Sequence, residues 1–235
     1  MSVALNRKRS RLALEAEEEE DEHEDTTPTA TQHIAVSRPP DATLKRSKTD
    51  SDLDELSIVA PDQAWSIDVA TILASPTLHS PPGSAVQEHN NVQRYAAGSS
   101  IVVFCIQGNL QLHYDLLCTA LPDLYAVAPT LQALVLCRDP SSHVPSTASP
   151  FCLPLIQAVA PEYNHFVKLG LSHPLGGGHL PLDALVVVDP KGRRRLVLPF
   201  GWGAGRHAAN VGGGRMVQQR LMGLLKQCIE LISKE

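Results

Sequence analysis

Continuous apolar runs and helically spaced apolar positions alternate along the second half of the chain. Ile101 to Ile106 is an unbroken run of six, bounded by Gly108 and Asn109, which predicts a strand buried on both faces. Asn109 is placed to cap the next segment, where Leu112, Leu116, Leu117 and Ala120 recur at helical spacing. Pro122 and Pro129 bracket a second short turn or helical piece, and Leu131 to Cys137 reads as another apolar strand. After a polar loop from Ser141 to Pro150, Cys152 to Phe166 has a partly helical pattern interrupted by Pro154 and Pro161. Leu182 to Val188 is a third strand, and Asp189-Pro190-Lys191-Gly192 carries a type I turn signature that sends Arg194 to Phe200 back as a hairpin arm. Met216 to Ser233 closes the chain as an amphipathic helix with Leu221, Leu224, Leu225, Cys228, Ile229 and Ile232 on one face. The predicted order is β-α-β-α-β-β-α.

Upstream the pattern thins. Residues 53 to 75 hold Leu53, Leu56, Ile58, Val59, Trp65, Ile67, Val69 and Ile72, enough for a short strand or helical turn. That stretch is either an added element of the domain or a partner-binding peptide, and a loop rich in Ser, Pro, Asn and Gly follows it to about Ser99. The expected organisation is a disordered tail over 1–52, a docking element and polar loop over 53–99, and a compact domain over 100–235.

Charge sharpens the reading of the tail. The net charge is −5, yet residues 15 to 25 alone carry nine acidic groups and no Lys or Arg, so the rest of the chain sums to +4. A block of like charge stays solvated rather than packing. Just before it, Arg7, Lys8, Arg9 and Arg11 form a basic cluster of the kind that nuclear import receptors read. Thr49 and Ser51 each have an acidic residue three positions on (Asp52 and Asp54), the pattern of an acid-directed kinase; Arg46 before Thr49 equally fits a basic-directed one. No hydrophobic stretch follows the basic start, and no apolar run reaches the roughly 20 residues of a membrane span. The five Cys include no CxxC pair, so a reducing compartment, nucleus or cytoplasm, is expected.

Three passages resemble the alkyl hydroperoxide reductase and thiol-specific antioxidant group of peroxiredoxin-like proteins. Ile101-Val102-Val103-Phe104 resembles the strand leading to the active-site helix. Phe166 to Leu171 resembles the segment before the central hairpin, and Leu185 to Arg193 resembles the hairpin itself. The resemblance spans about residues 100 to 233 and implies an α/β, thioredoxin-like sandwich. It also implies a peroxidatic Cys at the start of the first active-site helix, where backbone N–H groups and the helix dipole lower a thiol's pKa. Here that region reads Gln107-Gly108-Asn109-Leu110-Gln111-Leu112-His113, without Cys.

Cys105 lies inside the first strand and Cys118 lies about two turns into the helix. Both read as small buried apolar residues, as do Cys137 and Cys228; Cys105 and Cys118 are the candidates if the chain is a thiol enzyme. Pro181 stands where thioredoxin folds carry a cis-proline, although an ordinary trans bond serves equally at a strand start. A binding face is expected from Leu110, Gln111 and His113 opposite Leu180 and Pro181, with Trp202 and Arg206 on the Gly-rich loop after the hairpin. No His or Cys pair has ligand spacing, so neither metal nor cofactor is expected. Residues 179 to 235 carry nine basic and four acidic groups, including Arg193, Arg194, Arg195, Arg206, Arg215 and Arg220. This predicts a basic surface facing nucleic acid or the protein's own acidic tail, and aromatics at only 4% argue against nucleic acid. The favoured reading is a non-catalytic thioredoxin-like domain that binds a protein partner. A thiol-dependent antioxidant oxidoreductase and a basic nucleic-acid-associated protein are the alternatives.

Overall fold

The computed structural model describes residues 48–77, 91–138 and 153–235. The import cluster Arg7, Lys8, Arg9 and Arg11, the acidic run and Cys152 lie outside them. Six strands form one mixed sheet: β1 (Trp65–Ser66), β2 (Val102–Gln107), β3 (Gln132–Cys137), β4 (Leu155–Gln157), β7 (Ala184–Val188) and β8 (Arg193–Pro199), in the order β1-β8-β7-β2-β3-β4. Neighbours β2, β3 and β4 run parallel, while β7 and β8 return antiparallel on the other side of β2. A βαβ unit beside an antiparallel hairpin is the thioredoxin-like arrangement.

All six residues of β2 are buried, as its unbroken apolar run requires, because helices cover both faces of the sheet. On one face Val103, Cys105, Val135, Leu185 and Leu198 pack against α3 (Leu112–Val127) and α5 (Gly214–Ile232). On the other, Val102, Phe104, Ile106, Leu136 and Val186 pack against α2 (Val69–Leu73) and α4 (His165–Lys168). The stretch 53–75 is knitted into these layers: Leu53 joins the first cluster, and Val69, Ile72 and Leu73 join the second. Leu53 belongs to α1 (Lys48–Asp54).

Three local readings are corrected, and the bond left open at Pro181 is decided. The helix after β2 begins at Leu112 behind Gln111, which makes no side-chain cap, so Asn109 is not its cap. That helix runs sixteen residues straight through Pro122. The proline forfeits one backbone bond, and buried Leu117, Cys118, Leu121 and Leu124 on both sides hold the helix against the sheet. The segment read as partly helical is instead β4 followed by the small hairpin of β5 (Val159–Ala160) and β6 (Tyr163–Asn164), with one helical turn, α4, behind it. Pro154 and Pro161 deny it a longer helix, and Asn164 caps the turn by accepting from Val167 N. Finally, no described peptide bond is cis, so Pro181 is trans.

Candidate functional site

The loop between β2 and α3 is closed by a residue distant in sequence. Asp183, immediately before β7, points its carboxylate at three consecutive backbone donors. Gly108 N lies 2.7 Å from Oδ1, Asn109 N 3.1 Å from Oδ2 and Leu110 N 3.2 Å from Oδ1. Successive N–H groups converging in this way form an anion-binding nest, and here its occupant is internal. Gly108 permits the approach, since a Cβ there would stand 2.9 Å from Asp183 Oδ2. The Asp183 carbonyl accepts from Phe200 N at 2.9 Å and from Trp202 Nε1 at 2.7 Å, so one residue ties the loop after β2 to the loop after β8.

His113, in the first turn of α3, is fully buried. Its Nε2 lies 2.8 Å from the Ile106 carbonyl, and because a carbonyl only accepts, Nε2 carries the proton. Nδ1 has no partner, and burial pushes the ring's pKa below the usual histidine value despite Asp183 Oδ1 at 3.9 Å. The ring is therefore neutral at neutral pH and stacks on Phe200 at 5.4 Å between centroids.

This loop's donors serve Asp183 and not a thiol. Cys105, Cys118, Cys137 and Cys228 are all buried, and none of them is in a disulfide. Burial drives the Cys105 thiol well above its usual pKa, and it pushes Cys228 up to about 12. A reactive thiolate needs the opposite environment, basic and partly open.

The structure brings Leu110, His113 and Trp202 together around Asp183; Gln111 stands directly before the helix. Leu110 packs under Gly201, where a Cβ would meet its Cδ1 at 2.7 Å. The Leu180–Pro181 corner bonds elsewhere, with Leu180 O accepting from His173 N at 2.7 Å and Pro181 bridging to Ser172. Trp202 and Arg206 line an open cavity of about 510 Å³ together with Val197, Pro199, Asp52 and Leu56. Arg206 donates to Asp52 at 2.9 Å, and Arg220 pairs with Asp54.

The expected basic surface is largely spent within the fold. Strand alternation sends Arg193 and Arg195 to one side and Arg194 to the other. Arg195 is fully buried: Nε donates to Val59 O at 2.7 Å, Nη1 and Nη2 grip Glu235 at 2.6 and 2.8 Å, and Asp189 Oδ2 lies 3.4 Å from Nη1. Arg193 donates to the same Asp189 at 2.7 Å, and these bonds hold the Asp189 carboxyl below its usual pKa against the opposing effect of burial. The Arg194 guanidinium sits 4.7 Å from the Trp65 ring centre.

A second buried polar pair lies on the opposite face of the sheet. Ser75 Oγ is 2.7 Å from His165 Nε2, and Tyr163 stacks on that ring at 4.5 Å. Among the described residues no carboxylate meets His165 Nδ1 to complete a nucleophilic triad. Burial lowers His165 to a pKa of about 4. Among the described residues no group of three or more His, Cys, Asp or Glu is arranged to hold a metal ion, and no helix is long and apolar enough to cross a membrane.

Sequence reasoning missed Asp183, His165 and the Asp189–Arg195–Glu235 cluster. Asp183 had one visible signal: it is the only charged residue in the apolar stretch Leu182–Val188.

No family model matches the chain. A stretch of 59 residues is 45% identical to a protein of Schizosaccharomyces pombe named Uba3-binding protein but1, covering 25% of this chain; the chain spans 23% of that protein's length. Among solved structures, similar chains include the bacterioferritin comigratory protein of Xanthomonas campestris, at 16% identity over 69% of this chain and 96% of the other, with a TM-score of 0.40. Mycobacterium tuberculosis AhpC is 15% identical over 72% of this chain and 98% of its own, with a TM-score of 0.39. The 2-Cys peroxiredoxin of Plasmodium vivax is 13% identical over 46% of this chain and 60% of its own, with a TM-score of 0.36.

Proposed function

We propose that this chain is a non-catalytic, thioredoxin-like binding domain that recognises a protein partner. The observation that carries the proposal is the nest at Gly108–Leu110, whose three donors are committed to the Asp183 carboxylate while Cys105, separated from that loop by Ile106 and Gln107, is buried with its thiol pKa raised. Donors that would stabilise a thiolate are occupied, and the nearest thiol in sequence is held protonated. The proposed binding face presents Leu110, Gln111, Leu180, Trp202 and Arg206, with His113 and Pro181 buried, and recognition concentrates at the Trp202–Arg206 end, which opens into the cavity. The name of the similar S. pombe protein supports a protein partner and makes Uba3 the first one to try.

The tail reading belongs to the same proposal. Arg7, Lys8, Arg9 and Arg11 serve nuclear import, and Thr49 and Ser51 accept phosphate, so the protein works in the nucleus, the cytoplasm or both. Ser51 is exposed on α1.

The test has two arms. Peroxide consumption with a dithiol reductant is expected to equal the protein-free rate, while calorimetric titration with purified Uba3 is expected to show saturable binding. Turnover that disappears when Cys105 or Cys118 is changed to Ser would replace this reading with the thiol oxidoreductase. Absence of Uba3 binding would remove that partner from the proposal.

A further inference from the structure

The acidic helix α1 lies against the loop after β8 and against α5. With seven residues it is too short to be stable alone, so its conformation depends on the surface beneath it. One side chain, Leu53, is fully buried, and Leu56 and Ile58 are half-buried against the same cluster. Among the described residues the ion pairs Asp52–Arg206 and Asp54–Arg220 are solvent-facing, with the arginines 40% and 42% exposed. Exposed pairs contribute only about 0–1 kcal/mol each and weaken with salt. Beside the helix the cavity of about 510 Å³ remains open, floored by Val197, Pro199 and Trp202 and walled by Asp52, Glu55 and Arg206.

From this we infer that the face between the loop after β8 and α5 is a docking groove for short acidic helices bearing a leucine between two carboxylates, and that α1 is its internal occupant. Two arginines spaced to take Asp52 and Asp54, with an apolar socket for Leu53 between them, define the chemistry a partner segment must present. Such a segment displaces α1 by offering the same contacts and adds others in the open cavity. This deepens the protein-partner reading and rests on it, but it concerns which segment is recognised rather than which protein carries it.

A fluorescent peptide of residues 46–58 is the probe, and the full-length chain is the receptor. In the D52R/D54R chain the internal helix faces like charges, and the peptide is expected to bind about ten-fold more tightly than to the unmodified chain. The R206E/R220E chain is expected to lose that binding and to accept instead a peptide carrying D52R/D54R. Equal binding to all three chains, or none to D52R/D54R while its circular dichroism is unchanged, overturns the inference. Should a variant fold poorly, the unmodified chain still decides. Excess peptide is expected to raise amide exchange at Glu55 and Leu56 severalfold, and unchanged exchange overturns the inference. Failure of Uba3 to bind leaves these peptide results untouched, so the two proposals fail separately.

Discussion

Replacing Asp183 with Asn keeps the side chain's shape and removes its charge, and the geometry allows the cost to be worked out. The retained carbonyl oxygen still accepts from Gly108 and Leu110, both of which address Oδ1. The amide nitrogen then faces Asn109 N, donor to donor, at a place where the carboxylate accepted at 3.1 Å. An orphaned buried donor costs about 1–3 kcal/mol. Two bonds to a charged acceptor become bonds to a neutral one, at about 0.5–1 kcal/mol each, since charge-assisted bonds are roughly twice as strong. The sum is about 2–5 kcal/mol, equivalent to a Tm lower by about 4–20 °C in a domain of this size. Denaturant melts of the two proteins measure the first quantity and calorimetry the second. Hydrogen exchange reports whether protection is lost at Gly108, Asn109 and Leu110 in particular. The companion D183A leaves the nest empty, and added formate is expected to recover part of its stability by binding only the folded chain. A D183N protein within about 0.5 kcal/mol of the parent, with the three amides still protected, would refute the claim that this carboxylate organises the loop.

Other expectations follow from the buried polar groups. His165 binds a proton near pH 6.5 when unfolded but only near about 4 when folded. The unfolded chain therefore holds more protons between these values, and stability falls as pH falls through that window, by at most about 3 kcal/mol. H165N is expected to flatten that part of the profile in denaturant melts at stepped pH, leaving the slope from His113, whose pKa is also lowered. R195L leaves the buried Asp189 carboxylate with Arg193 as its remaining cation and leaves Val59 O without its Nε donor; a loss of about 3–5 kcal/mol is expected. E235A removes a partly exposed partner and is expected to cost about 1 kcal/mol or less by the same melts. Cys105, Cys118, Cys137 and Cys228 are expected to react with a thiol reagent only at the rate of unfolding, measured by peptide mapping against time. Fast labelling of Cys105 at neutral pH would contradict its burial.

The sequence disclosed those parts of the fold that bury without interruption. Val102–Gln107, Gln132–Cys137 and Ala184–Val188 are covered on both sides, so their apolar runs are continuous and survive reading without coordinates. The segment 155–168 was misread because strands of two and three residues are too short to display a period, leaving four apolar positions that a helix template also accepts. The helix through Pro122 was divided because the proline signal is local, whereas the packing that overrides it comes from a sheet assembled across the chain. At the site, Leu110 and His113 were named because a resemblance drew attention to the segment after the first strand, and Trp202 because it stands on the Gly-rich loop after the hairpin. Asp183 was not, since its role depends on three amides more than seventy residues away. The arginines of β8 illustrate the converse. Their alternation was written in the sequence, but the residues awaiting Arg195, Val59 and Glu235, are brought there only by folding.

Both margins of the sheet are finished by chain that precedes Ser100. At one, Val59 N and Ile67 N bond to Arg195 O and Gly192 O, and Trp65–Ser66 pairs with β8. At the other, Thr77 bridges to Ile156, and Gln157 N donates to Pro76 O at 3.1 Å. Unpaired strand margins are templates for the strands of other molecules. Residues 59–77 thus act as selvedges, keeping the sheet from being extended by a neighbour. A fragment begun at Ser100 retains every central strand yet bares both rows of backbone groups, and light scattering is expected to find it self-associating where the full chain stays dispersed.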